Sequence, residues 1–199
     1  MNNRSFKQIF TENWLFEMPR NTGYLATSNY PELRMAIEQN LELGWTPSTI
    51  NDLHFLYISD DNIICWYGDF EIIARLTKFE KNFAIGLVGN KPGSSIYASN
   101  FYEKILKATG LPLLFSDITQ SEQGFKIWGH LLDDGNTLMV YDPTNINKYT
   151  KINSFDELKQ FHGQHPDYEK YRYVLSENVD DAFTDFELMR THTLSLNNG

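Results

Sequence analysis

A chain of 199 residues, 41% of them hydrophobic and 15% aromatic, suffices for one domain with a substantial core. Its formal net charge of −9 disfavours direct nucleic-acid binding, which needs clustered Lys and Arg, and its single cysteine excludes an internal disulfide. The sequence has neither a signal-peptide pattern nor an apolar run of membrane-spanning length. We therefore expect a cytoplasmic protein without a membrane partner.

Two helices are predicted in residues 1–52, ahead of the first strand. The first, Met1–Phe16, is interpreted as an arm that packs on the core, with a hydrophobic docking peptide as the alternative. The second, Asn29–Leu43, has Pro31 in its first turn and stops at Gly44. The apolar residues at helical spacing in the first helix are Phe6, Ile9, Phe10, Trp14 and Leu15.

Three short β-rich runs separated by turn signals follow, and they predict an antiparallel meander. Cys65 lies within the second run and is predicted to be a buried, small apolar residue rather than a nucleophile. The three runs are Leu53–Ser59, Asn62–Trp66 and Phe70–Phe79.

The middle of the chain alternates between strand-like and helix-like segments, which is the pattern of an α/β fold. Its last strand is expected to pair with the final apolar run, Tyr173–Ser176. The segments are strand Phe83–Val88, loop Gly89–Ser95, helix Ile96–Ala108, strand Leu111–Phe115, helix Ser121–Leu132 and strand Thr137–Tyr141.

The loop that follows the strand Phe83–Val88 is suited to an anion. Backbone N–H groups at a helix start, beside the side-chain-free Gly93, can bind a phosphate or pyrophosphate, and Lys91 adds a nearby positive charge. The alternative is a plain strand–helix connection in which Ser94 or Ser95 caps the helix.

The order of these segments resembles the GNAT superfamily of acyl-CoA-dependent N-acyltransferases over Leu53–Leu175. The resemblance implies a mixed central sheet with an antiparallel N-terminal meander, flanked by helices. The pyrophosphate loop of that family reads Arg or Gln, two residues, Gly, one residue, then Gly or Ala. Here Gly93 is kept, Asn90 replaces the Arg or Gln, and Ser95 replaces the final small residue.

A second motif of the family, roughly Asn, two residues, Ala, two residues, then Leu-Tyr, corresponds to Ser121–Trp128. Trp128 stands where the family has the tyrosine that protonates the leaving thiolate, and an indole cannot supply that proton. Tyr141 or Tyr97 is the candidate replacement acid.

The resemblance implies transfer of an acetyl group from acetyl-CoA to an amine acceptor, with no metal ion. Asp117 or Glu71 is the candidate base, chosen by residue type. The amine attacks the thioester directly, so the absence of a nucleophilic triad is no objection. The residues expected to contact the cofactor are Val88, Asn90, Lys91, Gly93, Ser94, Ser95, Ser121 and Trp128.

The alternative is a catalytically inactive GNAT-like protein whose acidic surface and aromatic residues bind a basic protein partner. Trp128 and Ser95 favour this alternative. The segment Phe115–Asp117, with the later Gln120-Ser121 and Trp128, also resembles GNAT-like proteins of phages and mobile elements. That resemblance implies a host partner and the host cytoplasm.

The predicted core, residues 53–176, carries an insertion at 143–170 that includes a capped helix, Ser154–Phe161. His162 and His165 follow this helix and are interpreted as structural or exposed residues rather than metal ligands. Residues 177–199 form an acidic tail, in which interleaved apolar residues predict a short amphipathic helix docking on the domain or on a partner.

Overall fold

The computed structural model describes residues 29–118, 121–163 and 166–176. The described chain forms one mixed sheet of nine strands and four α-helices, with a 3₁₀ turn at Pro166–Tyr168. The helices are α1 (Tyr30–Glu42), α2 (Ala98–Thr109), α3 (Glu122–Asp133) and α4 (Phe155–Lys159). The strands are β1 (Ser48–Ile50), β2 (Leu53–Ser59), β3 (Asn62–Tyr67), β4 (Ile72–Phe79), β5 (Asn82–Asn90), β6 (Leu113–Ser116), β7 (Thr137–Tyr141), β8 (Tyr149–Ile152) and β9 (Arg172–Ser176).

The strand order across the sheet is β1-β2-β3-β4-β5-β6-β9-β7-β8. Strands β1 to β5 form an antiparallel meander, β5 and β6 are parallel, and the remaining neighbours are antiparallel. The predicted mixed α/β class is therefore confirmed, as is the predicted pairing of β7 with β9. No helix in the described part of the chain is long and apolar enough to cross a membrane.

Two edge strands were not predicted. β1 lies between the second predicted helix and the first predicted strand, where no element was predicted, and its three residues are all exposed. β8 lies inside the predicted insertion 143–170 and pairs with β7 along the other edge of the sheet. Both strands are short and carry few buried side chains, so the sequence contains little of the alternation that identifies a strand.

The helix caps confirm one prediction and exclude one alternative. Ser154 caps α4, as predicted, through the N–H of Glu157 at 3.2 Å, and Ser121 caps α3 by accepting the N–H of Gly124 at 3.1 Å. The alternative in which Ser94 or Ser95 caps α2 is wrong, because the helix begins later, after Tyr97, and no side chain of the described residues caps it.

The buried side chains form three clusters on the two faces of the sheet. One face packs on α2 and α3 through the first cluster, which includes Phe101, Phe125 and Trp128. The opposite face packs on α1 through the second cluster, which includes Leu33 and Ile37. The third cluster consists of strand residues alone: Ala84, Leu113, Phe115, Met139, Tyr141 and Val174, with Phe79 and Tyr149 packed against them.

Helix α1 lies directly on the backbone of β5. A Cβ atom added to Gly89 would lie 2.5 Å from the backbone nitrogen of Tyr30 and 2.6 Å from its Cα. The absence of a side chain at Gly89 therefore sets how closely the helix approaches the sheet. The predicted arm Met1–Phe16 and the acidic tail 177–199 both lie outside the described residues.

We expect Gly89→Ala to lower the free energy of unfolding by about 1–3 kcal/mol, because α1 must move to admit the methyl group. Gly86→Ala is the matched control on the same strand, since its Cβ would meet its nearest neighbour at an ordinary 3.7 Å. Urea denaturation of both variants measures the difference. Equal stabilities would contradict the close approach of α1.

Candidate functional site

Strand β5 is longer than its parallel neighbour, and this difference creates an opening in the sheet. Only Phe83–Ile85 of β5 pairs with Leu114–Ser116 of β6, and the N–H of Asp117 then donates to the Ile85 carbonyl at 2.9 Å. Along the last five residues of β5, Gly86–Asn90, no strand of the described residues pairs on this side. We call this stretch the open edge. Ligands of α/β proteins characteristically bind beyond the carboxyl ends of parallel strands.

A bulge in β5 marks the start of the open edge. Leu76 pairs with Ile85 and Ala74 pairs with Val88, so one residue of β4 faces both Gly86 and Leu87. A Cβ added to Gly86 would lie 3.7 Å from Oδ2 of Asp117. Gly86 therefore faces the residue that follows β6, with no side chain to fill the space between them.

Two residues of the open edge, Val88 and Asn90, direct their backbone groups away from β4. The N–H of Lys91 donates to the carbonyl of Glu71, the residue before β4, at 3.0 Å, so Lys91 directs its N–H toward the β4 side. Because hydrogen-bonded pairs alternate in antiparallel strands, the backbone groups of Val88 and Asn90 point away from β4. The side-chain amide of Asn29 donates to the Val88 carbonyl at 3.0 Å, so a ligand that paired here would compete with Asn29.

The predicted pyrophosphate loop contains a tight turn. The N–H of Ser94 donates to the Lys91 carbonyl at 2.9 Å, and Gly93 has a φ of +83°. With Pro92 at the second position and Gly93 at the third, this is the chemistry of a type II turn. Gly93 is thus required by the turn itself, and the N–H of Ser94 is already bonded.

The donors left for an anion lie after the turn. The hydroxyl of Ser94 accepts the N–H of Ile96 at 3.2 Å, and the side-chain amide of Asn90 donates to the Ile96 carbonyl at 2.9 Å. Helix α2 then begins with no side-chain cap and no acidic residue in its first turn. Its first N–H groups lack intrahelical partners, and the positive end of the helix dipole favours an anion there. Ser95 is exposed beside this helix start.

Lys91 and Glu71 are paired with each other. Nζ of Lys91 lies 3.2 Å from Oε1 of Glu71 and 3.6 Å from a carboxylate oxygen of Asp69. The hydrogen bond that Lys91 donates to Glu71 is the main cause that raises the pKa of the Lys91 ammonium. The structure therefore gives Lys91 two carboxylate partners and gives Glu71 the role of its counter-ion.

Asp117 lies between two partly buried arginines at the start of the open edge. Nη1 of Arg172 is 3.9 Å from Oδ1 of Asp117 and donates to the Ser116 carbonyl at 2.8 Å. Burial lowers the pKa of both Arg75 and Arg172, and the charge of Asp117 opposes this shift in each case. The Asp117 side chain is half exposed, so its carboxylate can reach solvent or a ligand.

Tyr141 packs among aromatic rings that meet it edge-on or tilted. Its ring contacts Phe79, Phe115 and Tyr149 at centroid distances of 5.9, 5.9 and 4.9 Å. Burial is the main cause that raises the pKa of the Tyr141 hydroxyl. Tyr97, the other candidate acid, is 73% exposed at the start of α2. The two tyrosines thus lie in different surroundings.

Trp128 belongs to the core. It is 1% exposed and packs between Tyr102 and Tyr173, with centroid distances of 5.5 and 5.9 Å. Ser121 is exposed and caps the same helix. In the structure Trp128 therefore packs in the core, and Ser121 caps α3.

Cys65 and His162 have the structural surroundings that the sequence predicts. Cys65 is fully buried, and burial raises the pKa of its thiol well above the usual range. The His162 ring stacks on Phe125 with centroids 4.0 Å apart, and its Nε2 lies 3.4 Å from Oε1 of Glu122. His165 lies outside the described residues. Among the residues that the structure describes, no three His, Cys, Asp or Glu side chains cluster as a metal site.

No family model, curated protein or solved structure matches this chain. The candidate site therefore rests on the geometry of the open edge and of the start of α2.

Sequence reasoning missed the residues that shape the opening: Asn29, Gly86, Arg75 and Arg172. Gly86 carried a usable signal, because a glycine inside an apolar strand pattern indicates a bulge or a close approach. No such signal marks Arg75 and Arg172, because their positions near Asp117 depend on strands that are distant in sequence.

We expect the Cys65 thiol to be unreactive with Ellman's reagent at pH 8 in the native protein, because both its burial and its raised pKa suppress the thiolate. Denaturant should release the full reactivity of one thiol per chain. Rapid labelling under native conditions would contradict a structural role for this residue.

Proposed function

We propose that this chain is a GNAT-like protein that binds acyl-CoA and transfers its acetyl group to an amine. The observation that carries the proposal is the open edge, with its bulge at Gly86 and its backbone groups directed away from β4. An extended, amide-containing arm such as pantetheine can form strand-like hydrogen bonds with Val88 and Asn90.

The start of α2 is the proposed pyrophosphate site. The open edge leads directly through the turn Lys91–Ser94 to this uncapped helix start. An anion at this position satisfies orphan N–H groups and interacts favourably with the helix dipole. Because Lys91 is held by Glu71, the backbone rather than the lysine supplies the attraction.

The proposed chemistry is a direct attack of an amine on the thioester, which CoA presents as an activated acyl group. The carboxylate of Asp117, at the start of the open edge, is the proposed acceptor of the amine proton. Holding the amine and the thioester together supplies much of the rate enhancement in such reactions.

A catalytically inactive binding protein is the second candidate. Trp128 is buried where the family resemblance expects an acid, and Asn29 already bonds the Val88 carbonyl. Both features favour a scaffold that has kept the fold and lost turnover. In that case the acidic surface binds a basic protein partner, which fits the net charge of −9.

We expect acetyl-CoA to bind with a micromolar dissociation constant and Gly86→Leu to abolish this binding, because the leucine side chain would fill the space between Gly86 and Asp117. Isothermal titration calorimetry measures both proteins. Gly86→Ala is the control, since its methyl group has room, and it should retain binding.

Gly93 is a poor site for this test, because its positive φ makes any substitution strain the turn. Failure of the parent protein to bind millimolar CoA would refute the acyl-CoA proposal and leave the binding-protein candidate.

We expect Asp117→Asn to lower kcat roughly 10²–10⁴-fold with little change in acetyl-CoA affinity, because the amide cannot accept the proton of the attacking amine. Acetyl transfer to a panel of amines, followed by thiol release, measures this effect. Glu71→Gln is the comparison, and its activity should stay close to that of the parent, since Glu71 serves Lys91. The opposite ranking of the two variants would exclude Asp117 as the base.

A further inference from the structure

The third cluster is buried although no described helix contributes to it. Phe115, Met139 and Val174 have no exposed surface, and they lie on the sheet face opposite to α2 and α3. A sheet face becomes buried only when another layer packs on it. Helix α1 covers the neighbouring half of this face, where it contacts β4 and β5.

We propose that the N-terminal segment, residues 1–28, covers the third cluster. The described chain begins at Asn29, whose side chain bonds Val88 on β5, and Tyr30 lies on Gly89 of the same strand. β5 is the border between the half of the face under α1 and the half formed by β6, β9 and β7. Residues 1–28 therefore join the described chain at β5, directly beside the third cluster.

The size and chemistry of the segment fit this area. A helix over Met1–Phe16 is about 24 Å long at 1.5 Å per residue, and five strands at a spacing of about 4.8 Å span a similar width. Four of its large apolar side chains recur at three- or four-residue spacing on one side of such a helix. They are Phe6, Ile9, Phe10 and Trp14.

Charge favours this segment over the C-terminal one. Residues 1–28 contain three basic and two acidic residues, so the chain's net charge of −9 leaves −10 on residues 29–199. Residues 177–199 contain five acidic residues and one arginine, and they would be repelled by the acidic body. The N-terminal segment is the one whose charge is opposite to that of the rest of the chain.

The cover would also stabilise one side of the opening. The ring of Phe79, which packs against the third cluster, has its centroid 4.4 Å from Cζ of Arg172. The Arg172 guanidinium in turn lies beside Asp117. Docking of the segment therefore fixes the rings that hold Arg172 in place. This inference does not depend on the proposed acyltransferase activity.

Oxidation of Met139 by hydrogen peroxide tests the proposal in the full-length chain, because a buried thioether oxidises only when it becomes accessible. Met139 has no exposed surface, whereas Met35 is 54% exposed and serves as the internal reference. Peptide mass spectrometry gives the ratio of the two rates. Phe10→Asp should expose Met139 and raise its rate toward that of Met35, while Gln8→Asp, the matched control, should leave it protected.

Two further measurements keep the outcome decisive. Unreactive Cys65, which lies in the first cluster on the other face, verifies that each variant remains folded. A chain lacking residues 177–199 should keep Met139 protected. The proposal would be overturned if Met139 stayed protected from oxidation both in the Phe10→Asp variant and in a chain that lacks residues 1–28. Exposure on removing residues 177–199 would also overturn it, by assigning the cover to the tail, as would exposure on dilution, which would assign it to a second copy.

Discussion

The unequal hydrogen bonding of β5 on its two sides is the constraint on which the proposed site depends. On one side β5 pairs with β4 along its length, interrupted by the bulge at Gly86 and Leu87. On the other side it pairs with β6 over three residues only. Backbone groups that a sheet would normally satisfy internally are thus directed toward an opening, and they favour a partner that can replace a strand.

Two neighbours hold this arrangement in place. Helix α1 packs on Gly89, and the side-chain amide of Asn29, the residue before α1, donates to the Val88 carbonyl. One backbone acceptor of the open edge thus has an internal partner. Arg172 bonds the last carbonyl of β6 and stacks on Phe79, which holds the start of the opening against the third cluster. Both neighbours therefore lie on the same face of the sheet, the one opposite to α2 and α3.

The sequence predicted the regular elements well, because their signals are local. The strand β7 and the helices α3 and α4 followed from apolar spacing and, for α4, from the cap Ser154. The edge strands β1 and β8 were missed because their side chains are mostly exposed. The pairing of β9 with β6 was not predicted, because local pattern does not show which distant strands meet, so the position of Arg172 beside Asp117 was not foreseen.

Three residues of the predicted site have intramolecular roles that were not predicted from the sequence. Gly93 was chosen for phosphate approach, and its conformation also belongs to the turn with Pro92. Lys91 was chosen as a nearby positive charge, and it bonds Glu71. Trp128 was chosen as a cofactor contact, and the structure buries it in the core. The partners of Lys91 and Trp128 could not be predicted, because they are set by contacts between segments that are distant in sequence.

Hydrogen exchange with and without acetyl-CoA tests the role of the open edge most directly. If acetyl-CoA binds at the open edge, we expect it to slow hydrogen exchange of the amides in residues 86–90 and in the first turn of α2, with little change in β2 and β3. Saturating acetyl-CoA that leaves these amides unprotected, or that protects a different surface instead, would contradict the assignment of the open edge as the ligand site.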